Sequence, residues 1–346
     1  MARLTEAEAL DLFLNAPLDE LCARANTEKE RRHGKSVYWV NNRQINYTNV
    51  CVLHCKFCAF SKIKKDSPTA YDWDYDTIRN KAAEAIAGGA RELHIVGGLH
   101  PDHPFDYYIE MLAKLRKEFP KVNLKAFTAV EICHFAKISG QTPDQIMTTL
   151  KRAGLDALPG GGAEILVQDV RDQICPGKET GEEWLDVHRA AHKLGIPTNA
   201  TMLFGHIESR EDRVDHLLAL RALQAETGGF NAFIPLKFRS KANALSALGE
   251  VFDEEVLRTF AIARLALDNI PHIKAYWPML GKDLAFEAMA WGADDLDGTI
   301  NDSTRIYSLA GAEDQRPTLS VAELQARAAA AGWKAVERDS FYKIIS

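Results

Sequence analysis

Residues 143–160 read PDQIMTTLKRAGLDALPG, and their pattern of helix, glycine and short strand recurs along much of the chain. An amphipathic helix runs from Pro143 to Gly154, a glycine placed to close it, and a short β-rich run continues to Gly160. From about residue 78 onward the chain repeats helix, glycine and short strand. Such alternation predicts parallel β/α units.

The other repeats supply enough strands for a closed parallel barrel. Helices and strands pair as 78–89 with 93–97, 180–194 with 198–205, 209–226 with 230–236, 253–269 with 273–277, and 283–291 with 294–298. With early strands near 44–48 and 123–128, about eight strands alternate with helices, which predicts an α/β fold with a parallel (β/α)8 barrel of the TIM type. A doubly wound open sheet is the alternative, but its G-x-G-x-x-G fingerprint at the first helix is absent.

The chain is predicted to form one domain in three segments. Residues 1–42 are expected to form helices packed on the barrel, residues 43–316 the barrel, and residues 317–346 a last helix and a short extended tail. Capping boxes at Thr180–Glu183, Ser209–Asp212 and Ser320–Glu323 mark helix starts. No stretch rich in proline, glycine and serine marks a second domain.

Composition and charge exclude several classes of function. Of the 346 residues, 46% are hydrophobic and 26% are charged, and the formal net charge is -6. Because the lysines and arginines are scattered, nucleic acid is not expected as a partner. Residues 1–34 lack the apolar region of a signal peptide, and no later run of about 18 apolar residues is present to span a bilayer. A cytoplasmic protein without membrane contact is expected.

Three of the six cysteines fall within eight positions, as Cys51-x3-Cys55-x2-Cys58. In a long chain without an export signal, such a cluster indicates a metal or redox site and not a disulfide scaffold. The motif follows a predicted strand, in the kind of loop where barrel enzymes place their chemistry. A four-iron cluster held by three thiolates keeps one iron open to an external ligand.

Two other interpretations of these cysteines are open. A structural zinc site needs a fourth ligand, and His54, between two of the cysteines, is poorly placed for tetrahedral closure. A thioredoxin-like pair of Cys55 and Cys58 leaves Cys51 without a purpose. The remaining Cys22, Cys133 and Cys175 are most simply small buried side chains.

The string C-x3-C-x-aromatic-C, with Phe57 at the aromatic position, resembles the signature of the radical S-adenosylmethionine (SAM) superfamily. The resemblance implies a [4Fe-4S] cluster on Cys51, Cys55 and Cys58, whose open iron is chelated by the amino and carboxylate groups of SAM. One electron, from an external reductant of the flavodoxin or ferredoxin type, then splits SAM into methionine and a 5′-deoxyadenosyl radical.

Polar and glycine-rich strand ends supply further candidates for cofactor contacts. Gly97 and Gly98 resemble the superfamily's motif for the methionine amino group, although Leu99 stands where an acidic residue is usual. Glu164 and Arg171 match the amino and carboxylate groups of methionine, unless they cap a helix and face solvent. Glu208 and His206 follow another strand, where ribose or substrate contact competes with a structural role. Three aspartates after the last strand, Asp294, Asp295 and Asp297, are expected to cap a helix.

From about residue 30 to 312 the chain resembles the radical enzymes that make precursors of menaquinone, by the futalosine route, and of deazaflavin. The aminodeoxyfutalosine synthase family is the best match. The resemblance is carried by the strings NYTNVCVLHCKFCAF (46–60), ELHIVGGLHPDHPFDYY (92–108), LKAFTAVEI (124–132), LPGGGAEIL (158–166), TNATMLFGHIE (198–208), GGFNAFIPLKF (228–238) and DDLDGTI (294–300). It implies that SAM is a co-substrate whose adenosyl carbon adds to the aromatic enol ether 3-[(1-carboxyvinyl)oxy]benzoate, giving 6-amino-6-deoxyfutalosine, methionine and bicarbonate.

Within that group, cyclic dehypoxanthine futalosine synthase and the deazaflavin-type hydroxyphenyl transferase are alternatives. Outside it, an electron-transfer or zinc-binding module without catalysis is a further alternative.

A substrate with two carboxylates and an aromatic ring needs fixed cations, for which Lys178, Lys237 and Arg239 are candidates. Protons near the ring are expected to be handled by His100, Glu131 and His206. The segment 300–312 lacks the glutamate and histidine usual there, so a substrate contact from the last strand is expected to differ.

Overall fold

The computed structural model describes residues 3–63, 65–298 and 318–345, which form helices and short parallel strands. The helices are α1 (Glu6–Asn15), α2 (Leu18–His33), α3 (Tyr75–Ala87), α4 (Phe105–Glu118), α5 (Ala129–Ser139), α6 (Pro143–Ala153), α7 (Gln168–Ile174), α8 (Gly181–Lys193), α9 (Arg210–Thr227), α10 (Asp253–Ala266), α11 (Trp277–Leu280), α12 (Lys282–Glu287) and α13 (Val321–Ala330). The strands are β1 (Ser36–Val40), β2 (Asn42–Ile45), β3 (Glu92–Ile95), β4 (Asn123–Ala126), β5 (Thr198–Phe204), β6 (Phe230–Lys237), β7 (His272–Ile273), β8 (Asp295–Gly298) and β9 (Lys334–Glu337).

Local side-chain chemistry sets the ends of several helices. The Thr180 hydroxyl accepts a hydrogen bond from the Glu183 amide, and Ser209 and Asp212 form the same capping box on α9. Helix α6 ends at Gly154, whose φ of 110° is a left-handed conformation that glycine adopts without strain. The predicted caps on α8 and α9 are therefore confirmed.

The strands pair in parallel within three sheets of three strands, in the orders β2-β3-β4, β5-β6-β7 and β8-β1-β9. An α/β fold with parallel strands is confirmed, but none of these sheets closes on itself. The run predicted as a strand near 155–160 forms only isolated bridges, between Lys125 and Ala157 and between Leu158 and Thr198. The strand pairing ends at Pro159 and the glycines after it, because proline has no backbone N–H to donate to a neighbouring strand.

The two ends of the chain meet in one sheet. Strand β1 lies inside the segment predicted to be helical, and it pairs in parallel with β9, with Ser36 opposite Lys334. Helices α1 and α2 precede β1 and bury Phe13 and Leu21. None of the helices among the described residues is long and apolar enough to cross a membrane.

Along β3 and β4, apolar residues alternate with polar ones, so that each strand has an apolar side and a polar side. Leu93, Ile95 and Leu124 are fully buried among apolar neighbours. The intervening residue Lys125 forms an ion pair of 2.7 Å with Glu92, and both side chains are buried. The interior beneath the strand ends is thus polar and charge-paired, a feature that strand periodicity alone does not predict.

Asp294, just before β8, and Asp295 and Asp297 within it are buried and paired with cations. That they cap a helix stays a prediction, because residues 299–317, which follow, lie outside the described residues. Asp295 accepts from Arg338 at 2.7 Å and Asp297 accepts from Lys274 at 2.7 Å, while Asp294 forms an ion pair with Arg264. Buried carboxylates are stable only when cations and donors surround them, which these distant partners supply. The altered segment 300–312 lies outside the described residues.

Candidate active site

The loop after β2 carries the three clustered cysteines, and backbone hydrogen bonds tie it to the loop after β3 and to the end of α7. The Val52 amide donates to the Leu99 carbonyl at 3.0 Å, and the Lys56 amide donates to the Ile174 carbonyl at 2.8 Å. Within the loop, the Cys58 amide donates to the Cys55 carbonyl at 3.1 Å. The cysteines are therefore held between the loop after β3 and the end of α7.

The sulfur atoms lie in a partly dehydrated environment with backbone donors. The Leu53 amide donates to Cys51 Sγ at 3.5 Å, and the Ser61 amide donates to Cys58 Sγ at 3.4 Å. Burial raises the pKa of the Cys51 thiol and raises the pKa of Cys55 to about 12. Thiolates at such sites need an offsetting positive charge, which a metal centre supplies.

The three cysteine sulfurs do not all lie within 4.8 Å of one another. Among the described residues, two sets of three candidate ligand atoms lie within 4.8 Å of one another, namely His33, His272 and Asp294, and Asp72, His100 and His103. The three cysteines are not such a set. Tetrahedral zinc with Zn–S bonds of about 2.3 Å holds its sulfurs only about 3.8 Å apart. The wider spacing fits thiolates that each bind a different iron of a cluster.

Gly97 and Gly98 pack directly against the cysteine loop. A Cβ atom on Gly98 would lie 2.2 Å from the Val50 carbonyl oxygen and 3.1 Å from Cys51 Cβ. A Cβ atom on Gly97 would lie 2.5 Å from the Tyr47 ring. The close approach of the two backbones, and not a turn conformation, requires glycine at both positions.

Glu131 holds this glycine loop in place. Its carboxylate accepts from Tyr47 Oη at 2.6 Å, from the Gly97 amide at 3.1 Å and from the Thr128 amide at 2.7 Å. It therefore links the ends of three neighbouring strands while capping α5. These contacts fix the ends of the three strands relative to one another, and the proton-handling role of Glu131 stays a prediction.

Burial raises the pKa of Glu131 to about 7 from the ordinary 4.5. The folded protein then binds a proton more strongly than the unfolded chain, so stability should fall as pH rises from about 4.5 to 7, by at most about 1.4 kcal/mol per pH unit. Denaturant unfolding between pH 5 and 8 should show this slope in the wild type and lose it in Glu131→Gln. The exposed Glu110→Gln variant should keep the slope, and an unchanged slope in Glu131→Gln would contradict the assignment.

Glu164 and Lys178 form a buried ion pair beside the cysteines. Glu164 has a φ of 45°, which is unusual for a residue with a side chain, and the Lys178 Nζ lies 5.8 Å from the centre of the Phe57 ring. Burial opposes the Lys178 charge, but the Glu164 carboxylate and neighbouring thiols raise its pKa above the usual range. Lys178 therefore lies beside the cysteine loop, paired with Glu164, and its contact with substrate stays a prediction.

Arg171 is nearly inaccessible, so the interpretation of it as a solvent-facing residue is wrong. Its guanidinium donates to the carbonyls of Ala163, Ile165 and Glu179, the last two at 3.1 Å and 2.6 Å. These contacts fix the glycine-rich loop that carries Glu164. They occupy all three guanidinium nitrogens, so no free fork remains for a methionine carboxylate.

The structure does not bring His206, Glu208 or His100 to the cavity beside the cysteines. Glu208 accepts from the Gly205 amide at 2.5 Å and from Arg213 Nε at 2.7 Å, and His206 Nε2 lies 3.1 Å from the Leu203 carbonyl. Hydrogen bonding by His206 overcomes burial and lowers the pKa of Glu208 to about 2. The His100 ring stacks on the His103 ring, and His100 Nε2 lies 3.7 Å from Asp72 Oδ2.

A cavity of about 270 Å³ lies beside Cys58. Glu164 and Arg239 contribute charged side chains to it, and the remaining walls are mostly apolar. The main apolar and aromatic contributors are Phe57, Phe60, Leu236, Phe238, Tyr276 and Met279. Such a space suits a flat, apolar ligand group from which water is excluded.

Two family models match this chain. One, described as the radical SAM superfamily, matches residues 45–220, and the other, described as the CofH/MqnC C-terminal region, matches residues 227–345. The first covers the cysteine loop and the glycine-rich strand ends. The second covers β6 and the part of the site contributed by Lys237 and Arg239.

Three curated relatives carry different enzyme names. Aminodeoxyfutalosine synthase of Thermus thermophilus is 44% identical, over 99% of this chain and 92% of that protein. Cyclic dehypoxanthine futalosine synthase of Streptomyces coelicolor is 39% identical, over 93% and 81%. The 5-amino-6-(D-ribitylamino)uracil–L-tyrosine 4-hydroxyphenyl transferase of Methanococcoides burtonii is 40% identical, over 99% and 96%.

Among solved structures, the hydrogenase maturase HydG superimposes with a TM-score of 0.77. The alignment covers 96% of this chain and 73% of HydG, at 16% sequence identity. At that identity the similarity concerns the fold alone.

Proposed function

Because the chain belongs to the radical SAM superfamily, whose members use a [4Fe-4S] cluster and SAM, we propose that it joins the adenosyl carbon of SAM to 3-[(1-carboxyvinyl)oxy]benzoate. The products would be 6-amino-6-deoxyfutalosine, methionine and bicarbonate. The observation that carries the proposal is the apolar cavity that Cys58 shares with Phe57, Glu164 and Arg239. The relative named aminodeoxyfutalosine synthase, 44% identical over nearly the whole chain, supports this reaction over the others.

Cys51, Cys55 and Cys58 would hold the cluster, and their wide sulfur spacing and amide donors fit it. When bound, the cluster supplies the electron that cleaves SAM. The chain's part is to keep the site dry and fixed. Apolar neighbours around Cys51, namely Leu99 and Val130, exclude water on one side, and Phe57 and Phe60 do so on the cavity side.

The Glu164–Lys178 pair is complementary to the amino-acid end of SAM. A methionine carboxylate matches the Lys178 ammonium, and a methionine ammonium matches the Glu164 carboxylate, so an incoming zwitterion replaces one ion pair by two. Gly98 offers a backbone close to Cys51 for the same group. Arg171 and Glu131 act as positioning residues that fix the loops on which these groups lie.

Lys178→Met should raise the KM for SAM by about 10- to 100-fold, because a hydrogen bond to a charged group contributes about 1.5–3 kcal/mol. Methionine formation measured against SAM concentration tests this, with iron content per chain measured in parallel. Lys178→Arg should recover part of the affinity. The double variant Lys178→Met/Glu164→Gln separates loss of the cation from exposure of an unpaired carboxylate. An unchanged KM in Lys178→Met would remove Lys178 from the SAM site.

Closure of the strands into a barrel would place all these loops around one mouth. The isolated parallel bridges support it, because Lys125–Ala157 and Leu158–Thr198 connect the sheet of β2-β3-β4 to that of β5-β6-β7, and Lys274–Asp295 connects the latter to β8. Strands β1 and β2 are separated only by Asn41. We therefore propose a TIM-type barrel formed mainly by residues 43–316, to which the N-terminal segment 1–42 contributes β1, with the rest of that segment and residues 317–346 packed on it as one domain.

Product analysis tests the reaction. Reduced, reconstituted enzyme with SAM and the enol-ether benzoate should yield a product with the mass of 6-amino-6-deoxyfutalosine and one methionine for each product formed. Free 5′-deoxyadenosine as the main nucleoside would favour the cyclic dehypoxanthine futalosine synthase reaction. A requirement for tyrosine would favour the hydroxyphenyl transferase reaction.

A further inference from the structure

A second space adjoins the apolar cavity, and the two share Arg239. This cleft has a volume of about 430 Å³ and is lined by four cationic side chains, Lys237, Arg239, Lys282 and Arg327, and by two acidic ones, Asp253 and Asp283. Trp277 and Pro278 provide apolar surface beside them. The side chains that line the cleft are therefore mainly cationic, and two of them are paired, Lys282 with Glu323 at 2.9 Å and Arg327 with Asp283 at 2.8 Å. The cavity beside Cys58 is predominantly apolar.

Lys237, at the end of β6, and Arg239, two residues later, are buried, while their acidic partners are more exposed to solvent. Lys237 has a side chain only 8% exposed, and it lies 3.2 Å from Asp253, whose side chain is 67% exposed. Arg239 is 5% exposed and lies 3.2 Å from Glu250, which is 25% exposed. An exposed carboxylate is well hydrated and binds a cation weakly, so an entering anion can compete with Asp253 for Lys237.

The apolar cavity is a poor place for a carboxylate of the ligand. Glu164 contributes a negative charge to its wall, and apart from the Tyr276 hydroxyl and the Arg239 guanidinium the lining is mostly apolar. A carboxylate held away from those two donors would lose its hydration without compensation. At the shared residue Arg239, however, an aromatic ring in the cavity can extend an anionic substituent into the cationic cleft.

We infer that the cleft formed by Lys237, Arg239 and Lys282 is a carboxylate-binding subsite that receives the carboxylate end of an aromatic substrate. The inference rests on the proposed function for the identity of that substrate, but the subsite itself is defined by anion binding. Lys237 is the last residue of β6 and Arg239 follows two positions later, and both line the cleft together with Lys282 from the start of α12.

The probe is isophthalate, a benzene ring with two meta carboxylates, bound to the cluster-containing enzyme in the presence of SAM and followed by calorimetry. Lys237→Met should weaken isophthalate binding by about tenfold or more, and Lys237→Arg should restore much of it. The matched control Lys241→Met, in an exposed loop outside the cleft, should bind as the wild type does. Asp253→Asn removes the competing carboxylate and should tighten binding severalfold, which a merely structural role of this pair does not predict.

The outcomes separate the subsite from the proposed reaction. If wild-type enzyme binds isophthalate through Lys237 but makes no adduct from the enol ether, the subsite stands and the proposed function fails. If the wild type makes the adduct but Lys237→Met and Asp253→Asn leave isophthalate affinity and the KM for the enol ether unchanged, the subsite is wrong. Thermal unfolding of Lys237→Met should match that of the wild type, and a loss of stability that accompanies the loss of binding would overturn the assignment.

Discussion

Cys55→Ala is expected to abolish the reductive cleavage of SAM. Cys55 is one of three thiols that would bind the cluster, and no third thiolate from the same loop can replace it at that position. Methionine formation should fall by at least about a thousandfold, because without a cluster no group in the chain delivers the electron. Iron and sulfide content and the visible absorption of anaerobically reconstituted protein should fall in parallel.

The matched control for this experiment is Cys175→Ala. Cys175 is a buried thiol that interacts electrostatically with Cys55, and burial raises its pKa to about 11. The Cys175→Ala variant therefore tests whether the loss of any cysteine in this region has the same effect as the loss of Cys55. We expect this variant to retain its cluster and activity. A Cys55→Ala protein that keeps cluster absorption would show that Cys175 or another group ligates iron, and the assignment of the three ligands would have to be revised.

Gly98→Ala is expected to have the second-largest effect. The added methyl group would lie 2.2 Å from the Val50 carbonyl oxygen, a backbone atom that cannot rotate away, so the cysteine loop itself must move. Overpacking of this kind costs about 1–3 kcal/mol and displaces neighbouring backbone. We expect about a hundredfold loss of SAM cleavage, since a misplacement of about 1 Å at a reacting site has effects of that size.

Gly88→Ala is the control for the general effect of replacing a glycine. Gly88 ends α3 with a φ of -77°, and its nearest contact to an added Cβ is 3.3 Å from the Ala85 carbonyl oxygen. Its stability and activity should change little, within about 0.5 kcal/mol for unfolding. Equal activity in Gly98→Ala and Gly88→Ala would mean that the glycine loop does not set the position of Cys51.

The features that sequence reasoning predicted correctly are local ones. The spacing of Cys51, Cys55 and Cys58 led to the radical SAM superfamily, and the family match over residues 45–220 confirms that resemblance. The capping boxes of α8 and α9 were also correct, because a threonine or serine and the acid three residues later meet within one helical turn. In each case the interacting groups are separated by a few residues, so chain geometry alone brings them together.

The roles of individual polar residues were less predictable. Glu131 and Arg171 were recognised as important, but their partners are backbone groups that the folded loops present. Lys178 was grouped with the substrate cations, whereas the structure pairs it with Glu164 beside the cysteines. No signal in the sequence distinguishes a lysine in a substrate pocket from one at a cofactor site, because the partner of Lys178 is set by the fold of the loop between α7 and α8.

The amino-acid sequence by itself determined the alternation of helices and parallel strands, several helix ends and the clustering of three cysteines in one loop, since each follows from short-range periodicity or spacing. Only the tertiary structure decided that Asp295 binds Arg338, that Glu131 accepts from Tyr47, and that Arg239 separates an apolar cavity from a cationic cleft. These partners lie far apart along the chain. Packing of the helices and strands, and not any local preference, brings their charges into contact.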